Sequence, residues 1–301
     1  MKYYELAIKR KSTRDFKDKK VAAQTLNQIK DYAGQCKRLL PELPAEWRIL
    51  EGNPGNLAGT AGYSGFMIEA PSYLLLLSGK EEGFLENAGY MGEDMILKLT
   101  ELELDSCWIT ITDPVLLKQR LHLDTGLEPT ALIAFGYGKP EGGTRLDIKS
   151  PASVHMKQRN GQIAPKLYLE DAVFGGAWGQ KSDLADWEPD SDLYRAFIAA
   201  CCSPSVLNRQ PYRFILDHDV VSLVLLEDEM TSFENAKLNA GIVMLHFAEV
   251  LSQNTGHPGR WQLGAPEKSY ELTEGASFAG WWSPLSLYKK LSNSHYTSFS
   301  Y

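Results

Sequence analysis

Residues 87–89 read Asn-Ala-Gly, and the same triplet returns at residues 239–241. Asn87-Ala88-Gly89 opens a helical pattern that runs to Leu104 and reaches Trp108. Asn239-Ala240-Gly241 opens another that runs to about Leu251 and reaches Trp261. The glycine-to-tryptophan gaps are 19 and 20 residues. Upstream of each helix lies a continuous apolar run, Tyr73–Leu77 (YLLLL) and Val220–Leu226 (VVSLVLL), the pattern of a buried strand. Further upstream, helix-like Leu26–Leu39 leads through a Pro-containing loop into Arg48-Ile49-Leu50. Helix-like Leu193–Cys202 leads in the same way into Arg213-Phe214-Ile215-Leu216. Each half thus reads helix, loop, strand, strand, helix, ending near a tryptophan. Chance would have to reproduce order, spacing and triplet together, so one unit written twice is the preferred reading. Gly136–Arg159, rich in Gly, Pro, Lys and Arg, reads as a linker or crossover, dividing the chain into 1–150 and 151–301. The tail from Lys289 reads as loosely held.

Composition narrows the function classes. The 301 residues are 44% hydrophobic and 23% charged, an ordinary globular balance. The net charge of −7 argues against a general nucleic-acid or anionic-membrane binder, because both need a basic surface. Cys36, Cys107, Cys201 and Cys202 form no CxxC pair, so a reducing compartment is the default. Met1-Lys2-Tyr3-Tyr4-Glu5 leads into charge rather than into the apolar segment of a signal peptide, and no apolar stretch approaches the ~20 residues a bilayer span needs. The expectation is a soluble cytoplasmic protein with no nucleic-acid or membrane partner.

The usual catalytic signatures are absent. Gly59–Gly65 and Gly136–Glu141 fail the GxGxxG pattern, and no GxxxxGK[ST] occurs. Ser64 in Gly-Tyr-Ser-Gly-Phe is not a nucleophile elbow. The six histidines form no ligand pair, so no metal site is expected.

Two segments carry chemistry. Lys9-Arg10-Lys11-Ser12-Thr13-Arg14-Asp15-Phe16 puts four cations in six positions of an acidic chain. In an extended or turn-like stretch Arg10, Ser12 and Arg14 would share one side, since side chains alternate with period two. Two guanidiniums and a hydroxyl on one side suit a phosphate or other anion; a solvated charge run is the plainer reading. Ser203-Pro204-Ser205-Val206-Leu207-Asn208-Arg209-Gln210-Pro211-Tyr212 is dense in amides and hydroxyls and held by two prolines. It suits a planar heterocycle, or is merely a helix-to-strand connector.

Together the segments resemble the nitroreductase-like flavoprotein family. Its opening motif, Arg-x-Ser-x-Arg/Lys followed by Phe, stands here as Arg10, Ser12, Arg14 and Phe16. Its second, Pro-Ser-x-x-Asn-x-Gln-Pro-aromatic, stands as Pro204, Ser205, Asn208, Gln210, Pro211 and Tyr212. Leu104-Asp105-Ser106-Cys107-Trp108 and the strand Leu132–Tyr137 echo two further family features. Ordinary members carry both motifs in one short chain and dimerise around the flavin; here the motifs are split. Lys37–Pro44 lacks the amide pattern, and Asp183–Asp192 is acidic and cannot replace the arginines. The chain therefore looks like the double-length branch of the family. The resemblance implies an α+β fold of two tandem halves, each a mainly antiparallel sheet flanked by helices, forming an internal pseudo-dimer. It implies a monomer with one composite site.

The same resemblance implies FMN as cofactor, with NADH or NADPH as electron donor and a nitroaromatic or quinone-like acceptor. Arg10 and Ser12 are expected on the phosphate or lower ribityl chain, and Arg14 nearer the pyrimidine edge. Pro204, Ser205 and Asn208 are expected against the ring; Gln210 either bonds the ribityl chain or braces the loop. Arg145, Lys157 and Arg159 are candidates for a further phosphate cation. A backbone N–H near Cys107–Thr110 is expected at flavin N5. No side-chain acid or base is required, because flavin N5 carries the chemistry. Three rivals remain: a flavin enzyme of another reaction type, a non-catalytic flavin-binding protein and a decayed pseudoenzyme. Cys201-Cys202 reads as a redox pair or as packing, and Trp108, Trp261, Trp281 and Trp282 read as pocket wall or core.

Overall fold

A computed structural model describes residues 1–52, 54–63, 66–139, 144–150, 153–158, 165–182, 188, 191–255 and 258–285. The chain forms two compact units, one of Met1 and Glu5–Pro165, the other of Lys2–Tyr4 and Lys166–Tyr301.

The first unit contains α1 (Tyr3–Lys9, whose opening turn belongs with the second unit), α2 (Ala23–Ala33), β1 (Ala45–Glu51), β2 (Ser72–Ser78) and α3 (Phe84–Glu101). These are followed by β3 (Asp105–Ile109), α4 (Pro114–Arg120), β4 (Glu128–Gly136), β5 (Thr144–Ser150) and β6 (Ser153–Gln158). The main sheet runs β1-β2-β4-β3, antiparallel throughout. The unbroken apolar run of β2 follows from burial on both faces. Leu74 packs with Leu26 and Ile29 of α2 and with Met95, Ile96 and Leu99 of α3. Leu75 and Leu77 pack on the opposite face with Leu57, Leu117 and Leu132. Asp113 caps α4 by accepting from the Leu116 N–H at 2.8 Å, with Pro114 in the first turn.

The second unit contains α5 (Leu169–Ala172), β7 (Val173–Gly175), α6 (Asp192–Cys201), β8 (Tyr212–Asp217) and β9 (Val220–Leu226). They are followed by α7 (Phe233–Thr255), β10 (Gly259–Leu263) and β11 (Ala276–Pro284). Its sheet runs β7-β8-β9-β11-β10, with β7 parallel to β8 and the rest antiparallel. Without β7, the order β8-β9-β11-β10 repeats β1-β2-β4-β3 strand for strand. Its core is aromatic: the Phe247 ring on α7 lies 5.0 Å from Phe197 and 5.6 Å from both Trp261 and Trp282. Trp261, Trp281 and Trp282 are all buried in the core.

Some boundaries differ from the sequence reading. Helix α3 begins at Phe84 and α7 at Phe233, ahead of the triplets. Helix α2 stops at Ala33 rather than Leu39. The backbone beyond it is taken up by α3 instead: Lys37 N–H donates to Asp94 Oδ2 at 2.8 Å and Leu40 N–H to Asn87 Oδ1 at 2.9 Å. Within Gly136–Arg159, expected as a linker or crossover, β5 and β6 pair as an antiparallel hairpin. The alternating apolar residues Leu146, Ile148, Val154 and Met156 are the period-two signal for those strands. Much of Asp183–Asp192, Ser64 and Gly65, and the tail from Lys289 lie outside the described residues.

Candidate functional site

The cationic segment follows α1 and is tied to the first sheet by isolated bridges at Ser12 and Phe16. Arg10 N–H closes the last turn of α1 on Leu6 O at 2.8 Å. Ser12 then bridges Ser106 in parallel along the free edge of β3, and Phe16 bridges Gly138. Thr13 N–H donates to Ser106 O at 2.9 Å and Lys17 N–H to Tyr137 O at 2.8 Å. Asp105 fastens the strip from below: Oδ1 accepts from Thr13 Oγ1 at 2.9 Å and Oδ2 from Gly138 N–H at 3.0 Å. Side chains 10, 12 and 14 are therefore carried on a backbone stitched to the sheet edge.

The Arg10 side chain is only 6% exposed. Its Nη1 donates weakly to Ser12 Oγ at 3.4 Å, and its Nε faces Glu93 Oε1 at 3.3 Å without making a hydrogen bond. Glu93, on α3, is fully buried, and its Oε2 accepts from Trp108 Nε1 at 2.8 Å. Among the described residues no carboxylate pairs with half-buried Arg14. Cys107 lies beside these groups. Burial pushes its thiol pKa up, while Arg14, Arg10 and the Ser12 hydroxyl pull it down. One almost fully buried guanidinium and one half-buried one, next to a hydroxyl, fit an anionic group such as the FMN phosphate.

The second motif is a strained loop. Leu207, Asn208 and Gln210 all have left-handed backbones, with φ of 52°, 57° and 54°. Asparagine tolerates this conformation, whereas leucine does so at a cost. Hydrogen bonds hold the shape. Ser205 Oγ accepts from Gln210 N–H at 2.9 Å, and Ser205 O from Asn208 N–H at 3.0 Å. Gln210 Oε1 accepts from Leu167 N–H at 2.8 Å, and its Nε2 donates to Asn208 O at 3.2 Å. Of the two roles open to Gln210, its amide is occupied in bracing. Pro204 is buried. Asn208 Oδ1 accepts from Lys166 Nζ at 3.1 Å, and Ser203 O from the same ammonium at 2.8 Å. The structure thus brings Arg10, Ser12 and Arg14 together in one unit, and Ser205, Asn208 and Gln210 together in the other.

The triplet asparagines explain both loops. Asn239 Oδ1 accepts from Val206 N–H at 3.3 Å, as Asn87 does from Leu40 N–H in the first unit. The helix-to-loop tie is thus the same in both units, while only the second loop has the amide-rich sequence. Arg145 and Lys157 are paired across the β5–β6 hairpin, and Arg159 lies outside the described residues. Cys201 and Cys202 are free thiols; Cys201 is buried in the core, and burial pushes its pKa up to about 12. Among the described residues no group of His, Cys, Asp and Glu is placed to hold a metal ion, and no helix is long and apolar enough to cross a membrane.

Sequence reasoning missed Glu93, Asp105, Lys166 and Asn239 as shapers of these sites. Asn239 had a signal, its place in the repeated triplet. Glu93 had none, because nothing in the local pattern says that this side of the helix is buried.

Comparison with known proteins completes the picture. The chain is similar to a solved structure described as a putative nitroreductase from Thermotoga maritima MSB8, at 17% identity and a TM-score of 0.57. The match covers 94% of this chain and 93% of that one, and it shows the nitroreductase-like fold over nearly the whole length. The chain is also similar to a nitroreductase family protein from Streptococcus pneumoniae TIGR4 (20% identity, TM-score 0.42, 48% of this chain and 96% of that one). A further match is an FMN-dependent nitroreductase from Clostridium difficile R20291 (22% identity, TM-score 0.38, 45% and 87%). No curated protein matches the chain. The family model described as "Putative TM nitroreductase" matches residues 2–167, which carry the whole arginine–serine strip and its sheet, and this protein belongs to that family.

Proposed function

We propose that the protein is an FMN-dependent oxidoreductase that takes electrons from NADH or NADPH and reduces nitroaromatic or quinone-like acceptors. The observation that carries this reading is the anion-ready strip of Arg10, Ser12 and Arg14 on the edge of β3 in a chain of the nitroreductase family. Arg10 and Ser12 hold the phosphate or the lower ribityl chain, and Arg14 lies toward the pyrimidine edge, where a cation favours the reduced ring. Pro204, Ser205 and Asn208 supply the second half of the binding set, and Gln210 keeps their loop in shape. When bound, FMN supplies the hydride-accepting ring; the protein's residues bind it, orient it and control access.

The test is the visible spectrum of the desalted protein after incubation with excess FMN, followed by anaerobic addition of NADH or NADPH. The expected result is about one flavin per chain, bleached by the nicotinamide. Arg10→Ala and Asn208→Ala are each expected to weaken FMN binding, although they lie in different units. Unchanged affinity in Asn208→Ala would rule out the two-motif site, and absence of bound flavin would rule out the flavoenzyme. Flavin that binds but resists NADH and NADPH would instead identify a non-catalytic flavin-binding protein.

A further inference from the structure

The buried carboxylate of Glu93 has no counterpart in the repeat. Counted from the triplets, Gly92 corresponds to Met244 and Glu93 to Leu245, while Trp108 and Trp261 follow the triplet glycines by 19 and 20 residues. Both tryptophans direct their indole N–H at the equivalent turn of the long helix. Trp108 Nε1 donates to the Glu93 side chain at 2.8 Å, whereas Trp261 Nε1 donates to Met244 O at 2.9 Å. Gly92 makes the first arrangement possible: a Cβ there would lie 2.1 Å from Cη2 of Trp108. The half with the arginine motif has the carboxylate, and the half without the motif has fully buried leucine in its place.

Burying a charged carboxylate is costly unless a partner compensates it. Here the partner is Arg10, whose Nε edge faces Glu93 and whose side chain is almost wholly enclosed. An unrestrained arginine has many rotamers to lose on gripping a ligand. A guanidinium already held along its Nε edge keeps its two Nη groups pointing elsewhere, one of them against Ser12. The indole hydrogen bond fixes the carboxylate in turn, so Trp108, Glu93 and Arg10 form a chain from the sheet edge to the anion-binding strip.

We propose that Glu93, locked by Trp108, is a positioning residue that presets the Arg10 guanidinium for the phosphate-bearing end of FMN. The inference rests on the FMN reading above and goes further by assigning a residue outside both motifs. It predicts energetic coupling between positions 93 and 10 in flavin affinity, which a purely structural role for Glu93 does not produce.

The test is a double-mutant cycle on the full chain, with the FMN dissociation constant read by quenching of flavin fluorescence. Glu93→Gln keeps the shape of the side chain and an acceptor for Trp108 but removes the charge. In the presence of Arg10 it is expected to weaken FMN binding about tenfold, and in an Arg10→Met background less than about twofold. A wild-type chain that holds no FMN overturns the site reading and this inference with it. A wild-type chain that binds FMN, with Glu93→Gln binding equally well, overturns this inference alone. Equal losses in both backgrounds also overturn it, because Glu93 then supports only the fold. Should Glu93→Gln fail to fold, Trp108→Phe removes the locking donor while keeping the carboxylate. It is expected to weaken binding about threefold, and unchanged affinity there overturns the inference.

Discussion

Gln210→Ala separates bracing from ligand contact. In the structure the Gln210 amide joins two stretches of chain, accepting from Leu167 N–H at 2.8 Å and donating to Asn208 O at 3.2 Å. Each such bond contributes about 0.5–1.5 kcal/mol net, so truncation to alanine is expected to cost about 1–3 kcal/mol in the flavin-free protein. The backbone adds a second reading. Gln210 sits at φ 54°, where a Cβ is penalised, so Gln210→Gly loses the same bonds but escapes that strain. Glycine is therefore expected to be about 1 kcal/mol more stable than alanine at this site, the reverse of the order in a helix or strand. Urea denaturation of the apoprotein, followed by tryptophan fluorescence, reads both differences. An alanine variant as stable as wild type but poor in FMN binding would refute the bracing argument and place the amide on the flavin. Glycine no more stable than alanine would refute the strain argument.

Three further perturbations probe the fold. Gly92→Ala drives a methyl group into the Trp108 indole and is expected to cost about 1–3 kcal/mol in thermal unfolding, because backbone and ring are both held. Phe247→Ala removes the ring at the centre of the second unit's aromatic core and is expected to cost about 3–5 kcal/mol by denaturant titration. Asp217 accepts from Lys268 Nζ, Tyr270 Oη and His218 Nδ1, and these bonds lower its pKa from 3.8 to about 2. A depressed carboxylate stabilises above its unfolded pKa and loses that contribution as pH falls through the folded value. The gap in melting temperature between wild type and Asp217→Asn is thus expected to be full at neutral pH and to close between about pH 4 and pH 2. A gap constant over that range would contradict the assignment.

Much of the architecture was legible because it rests on local periodicity. The runs Tyr73–Leu77 and Val220–Leu226 became β2 and β9 nearly to the residue, since strands covered on both faces need unbroken apolar sequence. The repeated order of elements survives as one strand order in both sheets. Helix starts were misjudged because the triplets mark a tertiary contact, the asparagine tie to the preceding loop, rather than a cap. The end of α2 was misjudged for the same reason: Asp94 and Asn87 take up the backbone donors that follow it.

The candidate site divides along the same line. Sequence alone singled out the two segments proposed to bind the flavin, because cations alternating with a hydroxyl, and amides set between prolines, are patterns of residue type at short spacing. It also supplied the expectation that Arg10, Ser12 and Arg14 share one side, since period two is a property of an extended backbone. Only the tertiary structure decided what those residues have available for a ligand. Arg10 is held by Glu93, 83 positions away in sequence, and Gln210 is turned inward onto Leu167. Burial and partner choice are set by what packs on the other side of an element, and that information lies in no single stretch of the chain.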